Sequence, residues 1–477
     1  MPAPPLLVYD GDCGFCRAWI ARWRHATGER VEYAPYQEVA PQHPGIPLEA
    51  FRRSVQLIEP DGSRCEGAEA VFRALAYAPG GGWPLRLYRG LPGFAAASEA
   101  CYRAVASHRG PLSRLTRLLW GAHLVPPGHA LTAWIFLRLL AVVYGIAFVS
   151  LGVQVLGLVG HDGVLPAADF LRAVREQVGP SGYWDLPTLC WLDASDRALV
   201  GLCVAGTGLS VLLAIGIAPV LCLAGLWLCY LSLAGACQIF LWFQWDSLLL
   251  ETGALAILIA PWRLWSRPGR DPEPPAGARW LLRWLLFRLM LSSAAVKLMS
   301  GDPTWRHLTA LEYHYQTQPL PPWTAWYAQQ LPAGFQRLSA AVMFAIEGGA
   351  PFLLLGPRRV RFAGGAALVF LQLLIVLTGN YGFFNLLSLA LCVPLLDDAA
   401  WPWRWRRPAA AAPPAERPGR WRRWALRPAV AGLLALSLVP LFGALQLPTA
   451  SLGPIESIYR AASPLHLADP YGLFAVM

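Results

Sequence analysis

The chain has 477 residues, 56% of them hydrophobic and 22 of them Trp, with a formal net charge of +10 and a mean hydropathy of +0.41. That apolarity excludes a soluble protein of this size, because several windows approach the ~20 apolar residues that cross a bilayer. The positive charge is almost wholly arginine set beside apolar segments, which points to membrane flanks and away from nucleic acid.

Residues 1–7 carry neither a basic n-region nor an apolar h-region, so no cleavable signal peptide is expected. Residues 1–110 predict a small α/β domain. Residues 6–9 form a short apolar strand that runs into the turn Asp10-Gly11-Asp12. Cys13 and Cys16 then open an amphipathic helix reaching His25. Residues 31–36 and 54–59 predict two more strands, Asp61-Gly62 a hairpin turn, and 68–77 a helix.

A CxxC where a strand turns into a helix has a clear mechanism. The free N–H groups and positive partial charge of the helix N-terminus favour the Cys13 thiolate. Cys16, one turn on, can resolve a mixed disulfide. Half of a zinc site looks the same, but no second CxxC or His pair completes one here. Redox chemistry and a structural or metal role both remain open on spacing alone.

Tyr9-Asp10-Gly11-Asp12-Cys13-Gly14-Phe15-Cys16 resembles the signature of the DCC family of thiol-disulfide oxidoreductases, which are thioredoxin-like. The resemblance implies Cys13 as attacking thiol and Cys16 as resolving thiol, flanked by Asp10 and Asp12. It also implies a cellular thiol reductant or other redox partner. No proline facing the CxxC can be assigned from the sequence.

Residues 111–130 predict a basic linker. An α-helical multi-pass membrane bundle follows over 131–477, with about nine spans near 131–159, 198–215, 217–242, 246–261, 280–299, 335–356, 361–378, 381–396 and 428–447. Segments 262–279, 357–360 and 397–427 hold four, two and eight arginines. The alternate segments 160–197, 301–334 and 448–477 fall on the other side, and 161–196 carries six acids against two arginines. The positive-inside rule then puts the N-terminal domain in the cytoplasm and these three loops outside. Cysteines are scattered, five of the ten (Cys203, Cys222, Cys229, Cys237, Cys392) within spans, so there is no disulfide framework.

Charge inside the membrane narrows the site. Lys297 is the only lysine, and Asn380 and Asn385 are the only asparagines, a scarcity that points to a GC-rich bacterial source and a bacterial plasma membrane. Asp246, Glu251, Arg288 and Lys297 lie in the fourth and fifth spans, Glu347 in the sixth and Arg138 in the first. Ionisable groups in hydrocarbon face a bundle interior or a wet cavity. Glu251 and Lys297 stand at similar depth in antiparallel neighbours and are expected to pair, as part of a site or as a register-fixing ion pair. Between two spans, 301–327 crowds Asp302, Trp305, Arg306, His307, Glu312, Tyr313, His314 and Tyr315 together. This is either a recognition loop or an interfacial aromatic belt.

Trp245-Asp246-Ser247-Leu248-Leu249-Leu250-Glu251, Gly301-Asp302-Pro303-Thr304-Trp305-Arg306, and Leu311 through Pro321 resemble lipase maturation factors. Gly163-Val164-Leu165-Pro166, Arg288 through Lys297 and Tyr471-Gly472-Leu473-Phe474 fit the same pattern. The resemblance implies a multi-pass membrane factor that brings a secreted lipase to its active fold, resident in the endoplasmic reticulum in eukaryotes. Its partners would be the lipid bilayer and a lipase-like client. Members of that family continue past this ending into a non-membrane domain, whereas this sequence stops at Met477. The membrane part also distantly resembles that of vitamin K-dependent carboxylases. This sustains an alternative, a membrane enzyme in which His307, His314, Glu251 and Lys297 act on a lipid or quinone at the outer leaflet. No cofactor and no metal ion is expected.

Overall fold

The structure is a computed structural model that describes residues 3–402 and 420–477. Met1–Pro127 with Pro357–Arg359 form one compact unit, and Gly128–Gly356 with Val360–Met477 form a second. The arginine-rich stretch 397–427 lies largely outside the described residues.

In the first unit, β1 (Leu6–Tyr9), α1 (Gly14–Thr27) and β2 (Glu32–Pro35) make a strand–helix–strand unit whose strands pair in parallel, Leu7 against Tyr33. β3 (Gln56–Ile58) runs antiparallel to β1, and β4 (Arg64–Glu66) antiparallel to β3, giving the order β2-β1-β3-β4. The three expected strands are thus present, while β4 is additional. It holds one buried apolar residue between two exposed charged ones, too short a pattern to register in sequence. The turn at Gly62, with φ +82°, folds it back onto β3. α2 (Gly67–Ala76), α3 (Phe94–Ser107) and α4 (Arg109–Trp120) complete the unit around Leu7, Ile20, Val31, Leu57 and Ala70. The first half of the segment expected as a basic linker is therefore helical, up to Trp120, whose ring meets Trp19 edge-on at 6.0 Å.

The second unit is helical: α5 (Ala130–Gly152), α6 (Asp196–Ile215), α7 (Pro219–Ala236), α8 (Gln244–Ile259), α9 (Ala276–Met299), α10 (Leu311–Thr317), α11 (Ala333–Leu354), α12 (Arg358–Thr378), α13 (Phe384–Cys392), α14 (Arg420–Ala444) and α15 (Pro454–Ala462). Among the described residues, six helices are long and apolar enough to cross a membrane: α5, α6, α7, α11, α12 and the Trp424–Ala444 part of α14. The other three expected spans form helices of a different kind. α8 and α13 have 16 and 9 residues, and α9 carries Arg279, Arg283, Arg288 and Lys297. α9 packs against α8, α11, α13 and α14, with Leu281, Leu282, Leu285, Leu286 and Leu289 almost fully buried. Its charges meet protein instead of lipid, which is why low hydropathy is tolerated there.

Small residues set the close packing of α5. Phe148 lies against Gly206 of α6 and Tyr144 against Gly253 of α8, where a Cβ would clash. The Tyr144 hydroxyl donates to the Leu249 carbonyl at 3.2 Å. These contacts hold α8 in register, and with it Asp246 and Glu251.

Candidate functional site

In the first unit the site is built by the turn that leaves β1. Cys13 is the N-cap of α1, and its sulfur accepts from the Cys16 backbone N–H at 3.4 Å. The Asp10 carboxylate accepts from the Asp12 N–H at 3.1 Å, closing the turn. Gln37 clamps it from beside β2: its amide donates to Asp10 Oδ1 and Asp12 Oδ2, both at 3.1 Å, and accepts from the Gly11 N–H at 3.1 Å. A side chain on Gly11 would come within 2.7 Å of Pro35. Gln37 and Pro35 carry no motif of their own, so sequence alone does not single them out. Burial, then the hydrogen bond and charge of Cys13, pushes the Cys16 thiol up to about 12. The two sulfurs therefore have unlike roles open to them: one at a helix N-terminus, one held protonated behind it.

In the second unit, residues far apart in sequence converge on Glu251. One carboxylate oxygen is paired with the Arg288 guanidinium. The other accepts from the Tyr471 hydroxyl at 2.6 Å and from the Asp469 N–H at 3.1 Å. Arg288 also donates to the Asp469 carbonyl at 3.4 Å, and its guanidinium lies 5.6 Å from the Tyr471 ring centre. Asp246 accepts from the Tyr230 hydroxyl at 2.6 Å and caps α8 through the Phe243 N–H at 3.2 Å. Asp302 accepts from the Thr304 N–H at 2.8 Å and from the Met477 N–H at 2.7 Å. The Trp305 indole donates to the Phe474 carbonyl at 2.8 Å. Gly472 has φ +149°, and a side chain there would come within 2.6 Å of Val296, so only glycine suits this crossing.

The expected Glu251–Lys297 pair does not form. Glu251 takes Arg288, while Lys297 donates to Glu347 at 2.7 and 3.1 Å. The reason is helical: Arg288 and Lys297 are nine residues apart, about two and a half turns at ~3.6 residues per turn, so they leave α9 on opposite sides. All four groups are buried, as interior-facing charges must be. Arg138 takes other partners: one guanidinium nitrogen donates to the Ser266 hydroxyl at 3.1 Å, and the group lies over the Trp134 ring.

The residues expected in the recognition loop divide by exposure. Asp302 and Trp305 are buried, Glu312 and His314 partly so, and Arg306, His307 and Tyr313 face outward. The strongest exposed aromatic surface of the loop comes from residues not singled out, Trp323 and Trp326, at 77% and 63% exposure. His314 turns inward instead. It helps line a cavity of about 140 Å³ with Gln244, Lys297, Met343, Glu347 and Phe474. The Tyr381 hydroxyl lies 2.8 Å from its Nε2, and burial, then the charge of Lys297, holds the imidazole down at about 4. Neither Glu251 nor His307 borders this cavity. The two asparagines separate as well: Asn385 donates to Gln372 at 2.7 Å in the interior, and Asn380 caps a turn at Gly382.

Residues 131–403 match the lipase maturation factor transmembrane domain, and residues 7–115 match the DCC1-like thiol-disulfide oxidoreductase family. Lipase maturation factor 2 of Gallus gallus is 46% identical over 278 residues, covering 55% of this chain and 38% of the relative. That of Homo sapiens is 45% identical over 294 residues, covering 57% and 40%. Lipase maturation factor 1 of Bos taurus is 33% identical over 363 residues, covering 72% and 64%. The chain thus spans well under half the length of these lipase maturation factor 2 relatives. No solved structure matches it. These relatives are vertebrate and lend nothing to a bacterial source or a plasma-membrane location.

Proposed function

The chain belongs to the lipase maturation factor family, and on that premise we propose that it is a membrane-embedded maturation factor for an exported lipase-like client, with a thiol–disulfide exchange module at its N-terminus. The observation that carries this reading is the convergence of the stretches around Glu251, Arg288 and Trp305 on the C-terminal residues Asp469, Tyr471 and Phe474. Four segments meet there through hydrogen bonds, those to Glu251 and Arg288 buried and charge-assisted, which makes a rigid platform for the loops beside it. Arg306, His307, Tyr313, Trp323 and Trp326 are the outward-facing groups we assign to client contact. The arginine-rich loops hold the opposite face in the cytosol, and the N-terminal unit with them.

In the module, the Cys13 thiolate attacks one sulfur of a partner disulfide and displaces the other as a thiolate. The Cys16 thiol loses its proton to solvent and attacks the Cys13 sulfur, releasing the partner as a dithiol. Cys13 and Cys16 end as a disulfide, oxidised by two electrons, and a cellular dithiol reductant restores them.

Deletion of the gene, with secreted lipase activity measured against secreted lipase mass, tests the function. Lower specific activity at unchanged mass supports it, and an unchanged ratio removes it. Sidedness has its own test. An impermeant maleimide should leave Cys13 unlabelled in intact cells, and rapid labelling would reverse the orientation.

A further inference from the structure

Asp246 is buried, at 3% exposure, and among the described residues no lysine, arginine or histidine lies within ion-pair distance of it. The two buried glutamates differ, since Glu251 has Arg288 and Glu347 has Lys297. Both Asp246 oxygens accept, one from the Tyr230 hydroxyl at 2.6 Å and one from the Phe243 N–H at 3.2 Å, which is the pattern of a carboxylate. His466, whose charge acts on Asp246, is itself held by Asp469 at 3.1 Å. A buried anion left with hydrogen bonds alone favours a cation beside it.

A cavity of about 440 Å³ opens beside it. With Asp246, its wall carries the rings of Tyr230, Phe240, Phe243, Trp245 and Phe383. Three of these residues are tied to the carboxylate: Tyr230 and Phe243 bond to it directly, and the Phe243 and Trp245 rings stack at 4.6 Å. Phe243 is 47% exposed, so the cavity is reached from outside the protein. Ser150 and Gln154 border it at the C-terminal end of α5, a helix apolar enough to cross a membrane. That sets the cavity at headgroup depth, where Trp and Tyr gather.

The wall selects among cations. A hard divalent metal ion takes about six or more oxygen ligands, and no group of three His, Cys, Asp or Glu side chains able to hold a metal occurs among the described residues. A primary ammonium asks for several acceptors, where the wall offers one carboxylate that already accepts two bonds. A trimethylammonium group donates nothing, carries its charge inside a skin of methyls and is attracted to aromatic rings. We infer that the cavity holds the choline head of a phosphatidylcholine, with Asp246 as counter-charge and Tyr230, Phe243 and Trp245 as aromatic walls. The glycerol and acyl chains stay in the bilayer. The site is independent of which client the outer loops meet, and it requires no bond to be broken.

The test loads the full chain in maltoside micelles with palmitoyl-oleoyl phosphatidylcholine and measures retained lipid by native mass spectrometry. Phosphatidylcholine should be held about tenfold more tightly than phosphatidylethanolamine or phosphatidylglycerol with the same chains. Its 3,3-dimethylbutyl analogue, with carbon in place of the charged nitrogen, should bind as weakly as those two. Asp246→Asn should weaken retention by about tenfold or more through loss of the counter-charge. Trp245→Leu should weaken it by about threefold, the value of a partly exposed cation–π contact. Phe243→Leu, at an exposed side chain, provides a second ring variant, and thermal unfolding identifies any variant that fails to fold. Equal retention of phosphatidylcholine and its uncharged analogue overturns the cation site. Binding of free choline with no preference for phosphatidylcholine among the lipids overturns the lipid ligand. Retention unchanged in all three folded variants overturns the cavity as its place.

Discussion

Tyr471 donates its hydroxyl to Glu251 at 2.6 Å across 220 positions of sequence, and both side chains are almost fully buried. The bond ties the last segment of the chain to the middle of α8. The Asp469 N–H joins it on the same carboxylate oxygen.

Glu251 and Arg288 form a buried pair whose halves depend on each other. Glu251→Ala should cost ~3–5 kcal/mol by leaving Arg288 uncompensated, whereas Glu251→Leu with Arg288→Met should recover most of it. Thermal unfolding of the full chain in detergent measures both. A single variant as stable as the parent would falsify the pairing.

Lys297 should couple to Glu347 and not to Glu251. A double-mutant cycle of Lys297→Met with Glu347→Gln should give ~2 kcal/mol or more, and the same cycle with Glu251→Gln less than ~0.5 kcal/mol. The reverse order would mean that α9 is rotated.

Cys16 titrates from a raised value of about 12 against 9.0 for an ordinary thiol. A group raised in the folded state favours folding fully below pH 9 and loses that contribution as pH climbs towards 12. At pH 9, iodoacetamide should therefore label Cys16 far more slowly than the exposed Cys101, as read by mass spectrometry of the peptides. Equal rates contradict the half-buried, protonated thiol.

His314 works in the opposite sense. Its folded value of about 4 lies below the usual 6.5, so the stability it contributes is present above 6.5 and is lost as pH falls towards 4. The unfolding midpoint should drop over that window more steeply in the parent than in His314→Gln. Parallel curves for the two chains would remove the half-buried imidazole from the account.

Trp323 and Trp326 are exposed enough that replacing both by Ala should alter stability by less than ~0.5 kcal/mol each. If the outer loop meets the client, the same double variant lowers the specific activity of the secreted lipase. Full activity would move the contact elsewhere.

Sequence and structure part company at identifiable residues. Cys13 and Cys16 were legible because strand, turn and helix cap lie within eleven consecutive positions, and local chemistry settles them. Gln37 was not, since its part in the turn exists only once β2 lies beside β1. The charged positions of α8, α9 and α11 were legible as interior groups, because hydrocarbon tolerates them nowhere else. Their partners followed helix rotation, and the spacing from Arg288 to Lys297 contained that information, outweighed by a match of depths.

The sequence by itself determined the two-part organisation, the apolar helices, the thiol turn and the set of charges that must be buried. These depend on local propensity and on the difference between water and hydrocarbon, both of which act on short windows. Only the tertiary structure decided that α9 is sheathed by protein, that Tyr471 and Phe474 close over Glu251 and Trp305, and that His314 faces a cavity instead of a client. Those outcomes depend on which helix faces meet and on a C-terminal segment that crosses them, and no local pattern encodes a contact made 220 residues away.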